Sequence, residues 1–87
     1  MSYTVSVAGP ALRSLHALPE AVASAVVEFL AGPLAESPRR VGKALRFELE
    51  GSYSARRGEY RVVYVIDEAT ATVTVTRISH RRDVYRS

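Results

Sequence analysis

The pattern of apolar and polar positions in the N-terminal part of the chain predicts one strand followed by two helices. Apolar and polar residues alternate over 3–7, which is typical of a strand with one buried face. A short helix is expected over 11–17, and a second helix is expected to begin near Pro19, because apolar residues recur there at helical spacing. These residues are Val22, Val26, Phe29 and Leu30. We expect Pro33 to kink or end this helix, with a last turn reaching Glu36, and the two helices to form a hairpin with one shared apolar side.

The rest of the chain is predicted to consist mainly of strands. After a basic loop over 37–43, the pattern becomes extended from Ala44, with apolar residues at alternate positions up to Leu49. Three further strands are expected, at 53–57, 60–66 and 71–79. Strands that follow one another through short turns pair antiparallel. The sequence therefore predicts an α+β fold: an N-terminal strand, a helical hairpin, a three- to four-stranded antiparallel meander and a short C-terminal tail or helix, forming one domain over residues 1–87.

Composition is that of an ordinary globular protein and excludes several classes. The 87 residues are 47% hydrophobic and 24% charged, so disorder is not expected. The absence of cysteine excludes a disulfide scaffold and thiolate metal sites. No apolar run could span a bilayer and no signal peptide is visible, so we expect a cytoplasmic protein with no membrane partner. Phosphate-loop, dinucleotide-binding and zinc-binding motifs are missing and the two histidines are far apart, so we expect no cofactor and no metal.

Positive charge is concentrated in the second half of the chain. The net charge is +3, yet residues 1–38 contain one basic and three acidic residues, whereas 39–87 contain eleven basic and six acidic ones. Eleven of the twelve basic residues are arginine, whose planar guanidinium group suits bidentate contact with phosphate. A genome rich in G and C also favours arginine, but it does not explain why the charge is segregated. The distribution suggests a polyanionic partner, with nucleic acid as the first candidate.

The first candidate site is a hairpin in the basic half. Gly58 and Glu59 separate two predicted strands, which is typical of a two-residue turn of type II′. Such a turn pairs Arg57 with Tyr60 and places Arg56 directly opposite Arg61. Like charges in that position destabilise a sheet by up to roughly 1 kcal/mol. The arrangement makes sense if both guanidinium groups share an anion; the alternative is two solvated arginines splayed apart.

The next hairpin and the tail could extend this cluster. Pairing of Val63 with Val75 would place Arg77 opposite Arg61, although a slip of one residue moves Arg77 to the other face. If the tail forms a helical turn, its side chains at i and i+4, Arg81 and Tyr85, share a face. Tyr85 is as well suited to anchoring the tail on the sheet as to stacking on a base. The other notable tail residue is His80, the one plausible group near the basic region that titrates near neutral pH, or simply a surface histidine.

Three segments, 42–46, 49–64 and 78–85, resemble the RelE/ParE toxin superfamily, on its RelE side. The combination of Y-S-x-R-x-G-x-Y-R-V-x-Y from Tyr53 with H-R-x-x-x-Y from His80 carries the resemblance. It implies the toxin of a bacterial toxin–antitoxin pair, neutralised by a cognate antitoxin in a hetero-oligomer. It also implies a ribosome-dependent endoribonuclease that cleaves mRNA without metal, using the substrate's own 2′-hydroxyl as nucleophile.

The same resemblance implies roles for five residues. Arg61 would stabilise the pentacoordinate phosphate, and Arg56 would support it from the neighbouring strand. Arg81 would contact the phosphate or the leaving oxygen, and Tyr85 would stack on or orient the substrate. His80 could act as general acid or base. Other basic residues are expected to bind RNA: Lys43, Arg46, Arg57, Arg77 and Arg82.

One departure from the family bears on mechanism, and two alternatives remain open. Better-studied relatives carry lysines on the strand before the turn, where this chain has Ser54 and Arg56. Because arginine is a poor proton acceptor, electrostatic stabilisation must be the main catalytic effect, and the general base is unassigned. The first alternative is a ParE-like inhibitor of DNA gyrase without nuclease activity. The second is an inert basic module that only binds RNA or an antitoxin.

Overall fold

The computed structural model describes residues 2–46 and 50–80, which form two helices and a five-stranded sheet. The elements are β1 (Thr4–Val7), α1 (Gly9–Ala17), α2 (Glu20–Phe29), β2 (Lys43–Ala44), β3 (Ser52–Arg57), β4 (Tyr60–Asp67) and β5 (Thr72–His80). A π-helical turn over Leu30–Leu34 extends α2, and helical backbone reaches Glu36. This matches the predicted kink, since Pro33 inside the turn cannot donate a backbone hydrogen bond.

The strand order is β1-β5-β4-β3-β2. The pairs β2–β3, β3–β4 and β4–β5 are antiparallel, as predicted, whereas β1 lies parallel to β5 at the edge of the sheet. The α+β fold is therefore confirmed. Of the extended segment predicted from Ala44 to Leu49, only the first part is described: β2 ends at Ala44, and the backbone N–H of Leu45 still donates a hydrogen bond to the carbonyl of Ser52 on β3. Residues 47–49 lie outside the described residues.

The helical hairpin covers one face of the sheet. Apolar residues of α1, α2 and the π-helical turn pack on alternate residues of β3, β4 and β5, and together they form the core. The largest fully buried side chains are Tyr64, Leu34, Val26, Val62, Val73 and Val75. The side chains between these strand positions point to the opposite face, which we call the open face.

Tyr64 connects the core to the segment that leads into β2. Its ring stacks on Tyr53 at 5.8 Å between centroids, and its hydroxyl donates a hydrogen bond to the carbonyl of Pro38. Burial raises the pKa of Tyr64 to about 12. Gly42 passes so close that an added Cβ would meet the Tyr64 hydroxyl and lie 2.9 Å from the carbonyl oxygen of Ser54. The missing side chain at Gly42 lets the chain pass here, so that Lys43 pairs with Ser54.

Within the described ranges, neither helix combines the length and apolar character needed to cross a membrane.

Candidate functional site

The β3–β4 hairpin has the register that its turn predicts. Arg57 pairs with Tyr60, and Arg56 pairs with Arg61. Gly58 has a φ of +53°, whereas Glu59 does not have a positive φ, which fits glycine in the first position of a type II′ turn. Two guanidinium-bearing residues therefore lie directly opposite each other on adjacent strands, where Cβ atoms are about 5 Å apart.

Both arginines lie on the open face. Their side chains are exposed. The adjacent residues Ala55 and Val62 point to the other face and are buried under the helices. On β5 the position opposite Arg61 is Ser79. We call the line Arg56–Arg61–Ser79 the arginine row.

The position predicted for Arg77 is wrong in register, although its side chain does reach the open face. Arg77 pairs with Val63 rather than Arg61. The turn between Asp67 and Thr72 shifts the register by one residue from the predicted one, which alone would move Arg77 to the other face. A β-bulge on β5, with Thr76 as the extra residue between Val75 and Arg77, shifts it by one more and returns Arg77 to the open face. The hydroxyl of Thr76 donates a hydrogen bond to the carbonyl of Val63, 3.3 Å away. Two consecutive polar residues between buried Val75 and Ile78 were the sequence signal for this bulge, because they break the alternation.

Lys43 also lies on the open face, on the edge strand β2. It pairs with Ser54, which pairs with Val63, which pairs with Arg77. These four residues form a second line across the sheet, which we call the flanking row. It lies two residues along the strands from the arginine row.

The structure separates two other predicted residues from this cluster. Arg57 is on the helix-covered side, where its guanidinium group lies over the Phe29 ring, 4.9 Å from the centroid. His80 pairs with Tyr60, so its position belongs to the face opposite Arg61. The reason is the pleat: neighbouring residues of a strand point to opposite faces, and Tyr60 is buried beside the helices. Neither residue is brought to the arginine row, and the expected roles of Arg57 in RNA binding and of His80 in proton transfer stay predictions.

The remaining predicted site residues are one exposed arginine and three residues of the tail. Arg46 is exposed and follows β2 without belonging to a row. Arg81, Arg82 and Tyr85 lie outside the described residues.

Among the described residues, no acid neutralises the arginines of the open face. No described carboxylate forms an ion pair with Arg56, Arg61 or Arg77. An acidic side chain at the other end of the sheet, Glu68, binds Arg39 at 2.7 Å and accepts a hydrogen bond from Tyr3; these hydrogen bonds, Arg39 first, lower the pKa of Glu68. The described residues contain no group of three or more histidine and acidic side chains that could hold a metal ion.

This arrangement suits charge stabilisation better than proton transfer. Two facing guanidinium groups present planar sets of donors that match the oxygens of a phosphodiester. Arginine side chains are poor proton acceptors. A group whose negative charge grows during a reaction would therefore be stabilised between Arg56 and Arg61.

The sequence and the fold are similar to those of known proteins. Residues 5–85 match the family described as the ParE toxin of type II toxin–antitoxin systems, parDE. The chain is 52% identical over 86 residues to Toxin RelG of Mycobacterium tuberculosis, covering 99% of both chains. It superimposes with a TM-score of 0.91 and 51% identity on a chain of the RelBE2 toxin–antitoxin complex of M. tuberculosis, covering 93% of this chain and 100% of that one. For a chain of the intact Escherichia coli RelBE complex the TM-score is 0.74 at 26% identity, with 91% and 96% covered. The chain therefore belongs to the ParE toxin family of type II toxin–antitoxin systems and is a toxin of the RelE type.

Proposed function

We propose that this toxin is a ribosome-dependent endoribonuclease that cuts mRNA at a phosphodiester bound between Arg56 and Arg61. The 2′-hydroxyl of the nucleotide before the cut attacks the adjacent phosphorus and loses its proton. The bond to the 5′-oxygen of the next nucleotide breaks, and that oxygen takes up a proton. The products are a 2′,3′-cyclic phosphate and a 5′-hydroxyl. The observation that carries this proposal is the facing arginine pair on the open face, with which no described carboxylate forms an ion pair.

The arginine pair would act on the pentacoordinate phosphate, which carries more negative charge than the starting diester. Arg61 would bind its equatorial oxygens, with Arg56 supporting from β3. Loss of one such donor reduces the rate of comparable reactions by about a hundredfold to a thousandfold. This chemistry does not call for a metal ion, and we propose that none takes part in the bond-breaking step.

The ribosome would supply the alignment of the reacting groups of the RNA. His80 is at a position on the opposite face of the sheet from the arginine row, so no described histidine is placed to take the proton of the attacking hydroxyl. Holding a 2′-hydroxyl in line with the leaving oxygen provides a large rate acceleration in itself. We assign this alignment to the decoding site, with Arg81 contacting the phosphate or leaving oxygen and Tyr85 stacking on or orienting the nucleotide.

A cognate antitoxin is the second proposed partner. The structural relatives from M. tuberculosis and E. coli are toxin–antitoxin complexes. An acidic or amphipathic segment of such a partner would complement the open face and compete with RNA for it. The proposed complex is a hetero-oligomer, and the proposed compartment is the cytoplasm, where the ribosomes are.

The test is cleavage of mRNA on purified ribosomes with wild-type protein, Arg61→Ala and Arg13→Ala. Arg13 is an exposed arginine of α1, in the helical layer, so its replacement removes the same charge elsewhere. We expect Arg61→Ala to cut at least about a hundredfold more slowly, Arg13→Ala to cut like wild type, and the product to carry a cyclic phosphate.

Full cleavage by Arg61→Ala would contradict the proposal. Inhibition of DNA supercoiling by gyrase without any mRNA cleavage would instead support a ParE-like inhibitor. Because both assays use the same folded protein, they separate the two functions directly.

A further inference from the structure

The open face carries one cation on each of four neighbouring strands. Lys43 lies on β2, Arg56 on β3, Arg61 on β4 and Arg77 on β5. The order of these cations across the sheet follows the order of the strands. No two of them lie on the same strand.

The register of the strands determines how the four cations are arranged on the open face. The flanking row, with Lys43 and Arg77 at its ends, spans three strand separations, or about 14 Å. The arginine row is displaced from it by two residues, or about 7 Å along the strands. Each end cation is therefore about 8 Å from the nearer arginine of the central pair, and the four cations form a shallow arc that crosses the strands.

A path along the strands is chemically much poorer. On β4 the open-face residues that follow Arg61 are Val63 and Val65, and then the carboxylate of Asp67. Phosphates laid along this strand would meet two apolar side chains and a negative charge. Across the strands they meet a cation on either side of the arginine pair.

From this arc we propose that the RNA backbone crosses the strands, with Lys43 and Arg77 binding the phosphates on opposite sides of the scissile one. The proposal rests on the proposed function, because it takes the central phosphate to be the one that is cut. Lys43 would hold one flanking phosphate and Arg77 the other, so each acts on a single, different phosphate.

The contacts along this path are to the backbone of the RNA. None of the described open-face strand positions carries an aromatic side chain, and the chain contains no asparagine or glutamine. Stacking on these strands and the amide pairing that reads adenine are therefore missing along the arc. The contribution of Lys43 and that of Arg77 to binding should therefore not depend on the base sequence.

The experiment neutralises one phosphate at a time. Single-turnover cleavage is followed on ribosomes programmed with mRNA that carries a methylphosphonate either 5′ or 3′ to the cleaved linkage. The protein concentration giving half-maximal rate is measured for wild type, Lys43→Ala, Arg77→Ala and the control Arg13→Ala. Lys43→Gln and Arg77→Gln, which keep a polar side chain of some length, guard against loss of folding.

On unmodified mRNA we expect each flanking variant to raise the half-maximal concentration about threefold to tenfold, with Arg13→Ala unchanged. On modified mRNA the effect of Lys43→Ala should vanish with one methylphosphonate and that of Arg77→Ala with the other. If both vanish with the same methylphosphonate, or neither vanishes, the crossing path is wrong.

Failure of the proposed function would look different. If wild-type protein does not cut, or if Arg61→Ala cuts as fast as wild type, the proposed function fails and this inference fails with it. If Arg61→Ala is defective while the flanking variants do not distinguish the two phosphates, only the crossing path is overturned.

Discussion

At the scale of single residues, the facing arginines would favour binding of an anion at the expense of the stability of the fold. Arg56 and Arg61 are held opposite each other by backbone pairing alone, with no described carboxylate between them. Repulsion in such a pair opposes folding, and a bound phosphate would relieve it. The site is therefore a place where the unliganded protein is less stable than a neutral pair would make it.

Replacing Arg56 with threonine should raise stability and lower activity together. Threonine favours the strand and removes the repulsion, so we expect the free energy of unfolding to rise by about 0.5 kcal/mol while mRNA cleavage falls. Arg77→Thr is the matched control, because the direct partner of Arg77 is Val63 and its gain should be smaller. Urea denaturation of the three proteins measures the difference. A less stable Arg56→Thr protein would show that the pair does not repel.

Gly42 offers a second test at this scale. Gly42→Ala should destabilise the protein by about 1–3 kcal/mol, since its Cβ would press on the stacked ring of Tyr64 and on the Ser54 carbonyl. Gly32→Ala is the control: no atom lies within 4 Å of an added Cβ there, so its effect should stay within about 1 kcal/mol. Equal unfolding midpoints for the two variants would contradict the close approach at Gly42.

At the scale of elements, sequence reasoning succeeded where structure is local. The helices follow from apolar spacing, and the β3–β4 register follows from a two-residue turn. The parallel pairing of β1 with β5 joins residues nearly seventy positions apart, such as Thr4 and Thr72, and no local pattern encodes it. The separation of Arg57 and His80 from the arginine row follows from the pleat once each is paired with Tyr60.

The bulge on β5 gives a prediction at the scale of elements. Deleting Thr76 should leave the pairs Tyr64–Val75 and Val63–Arg77 intact and make the ladder regular, so stability should change by less than about 1 kcal/mol. Deleting Thr74 instead would place Thr76 in the buried position of Val75 and should destabilise the protein by about 2 kcal/mol or more. Thermal unfolding of the two deletion variants measures this contrast. Equal losses would mean that Thr76 is not the extra residue.

At the scale of the whole molecule, the helical layer and the open face of the sheet differ in charge. The described helical layer presents few charged side chains to water, whereas the open face presents cations from four strands. The core between the layers contains phenol groups whose ionisation is suppressed. Burial raises the pKa of Tyr60 as well as that of Tyr64.

Stability should therefore fall in strong alkali. The Tyr64 phenol has a pKa of about 12 when folded against 10.0 as the model-compound value, so its contribution is fully present below pH 10 and is lost as the pH rises through 12. Between these values the free energy of unfolding should fall by about 1.4 kcal/mol per pH unit from this group. Urea denaturation from pH 9.5 to 12 measures the slope. Tyr64→Phe should show a shallower slope, and an unchanged slope would place the alkaline sensitivity elsewhere.

The arginine pair could be transferred to another protein, because the two-residue turn at Gly58-Glu59 sets its geometry. No tertiary contact of the guanidinium groups is needed to set them face to face, since the length of the connection does so. A natural or engineered insertion of one residue there would dismantle the pair without touching either arginine. Conversely, grafting Ser52–Asp67 onto another antiparallel sheet with one solvent-exposed face would carry the facing arginine pair with it.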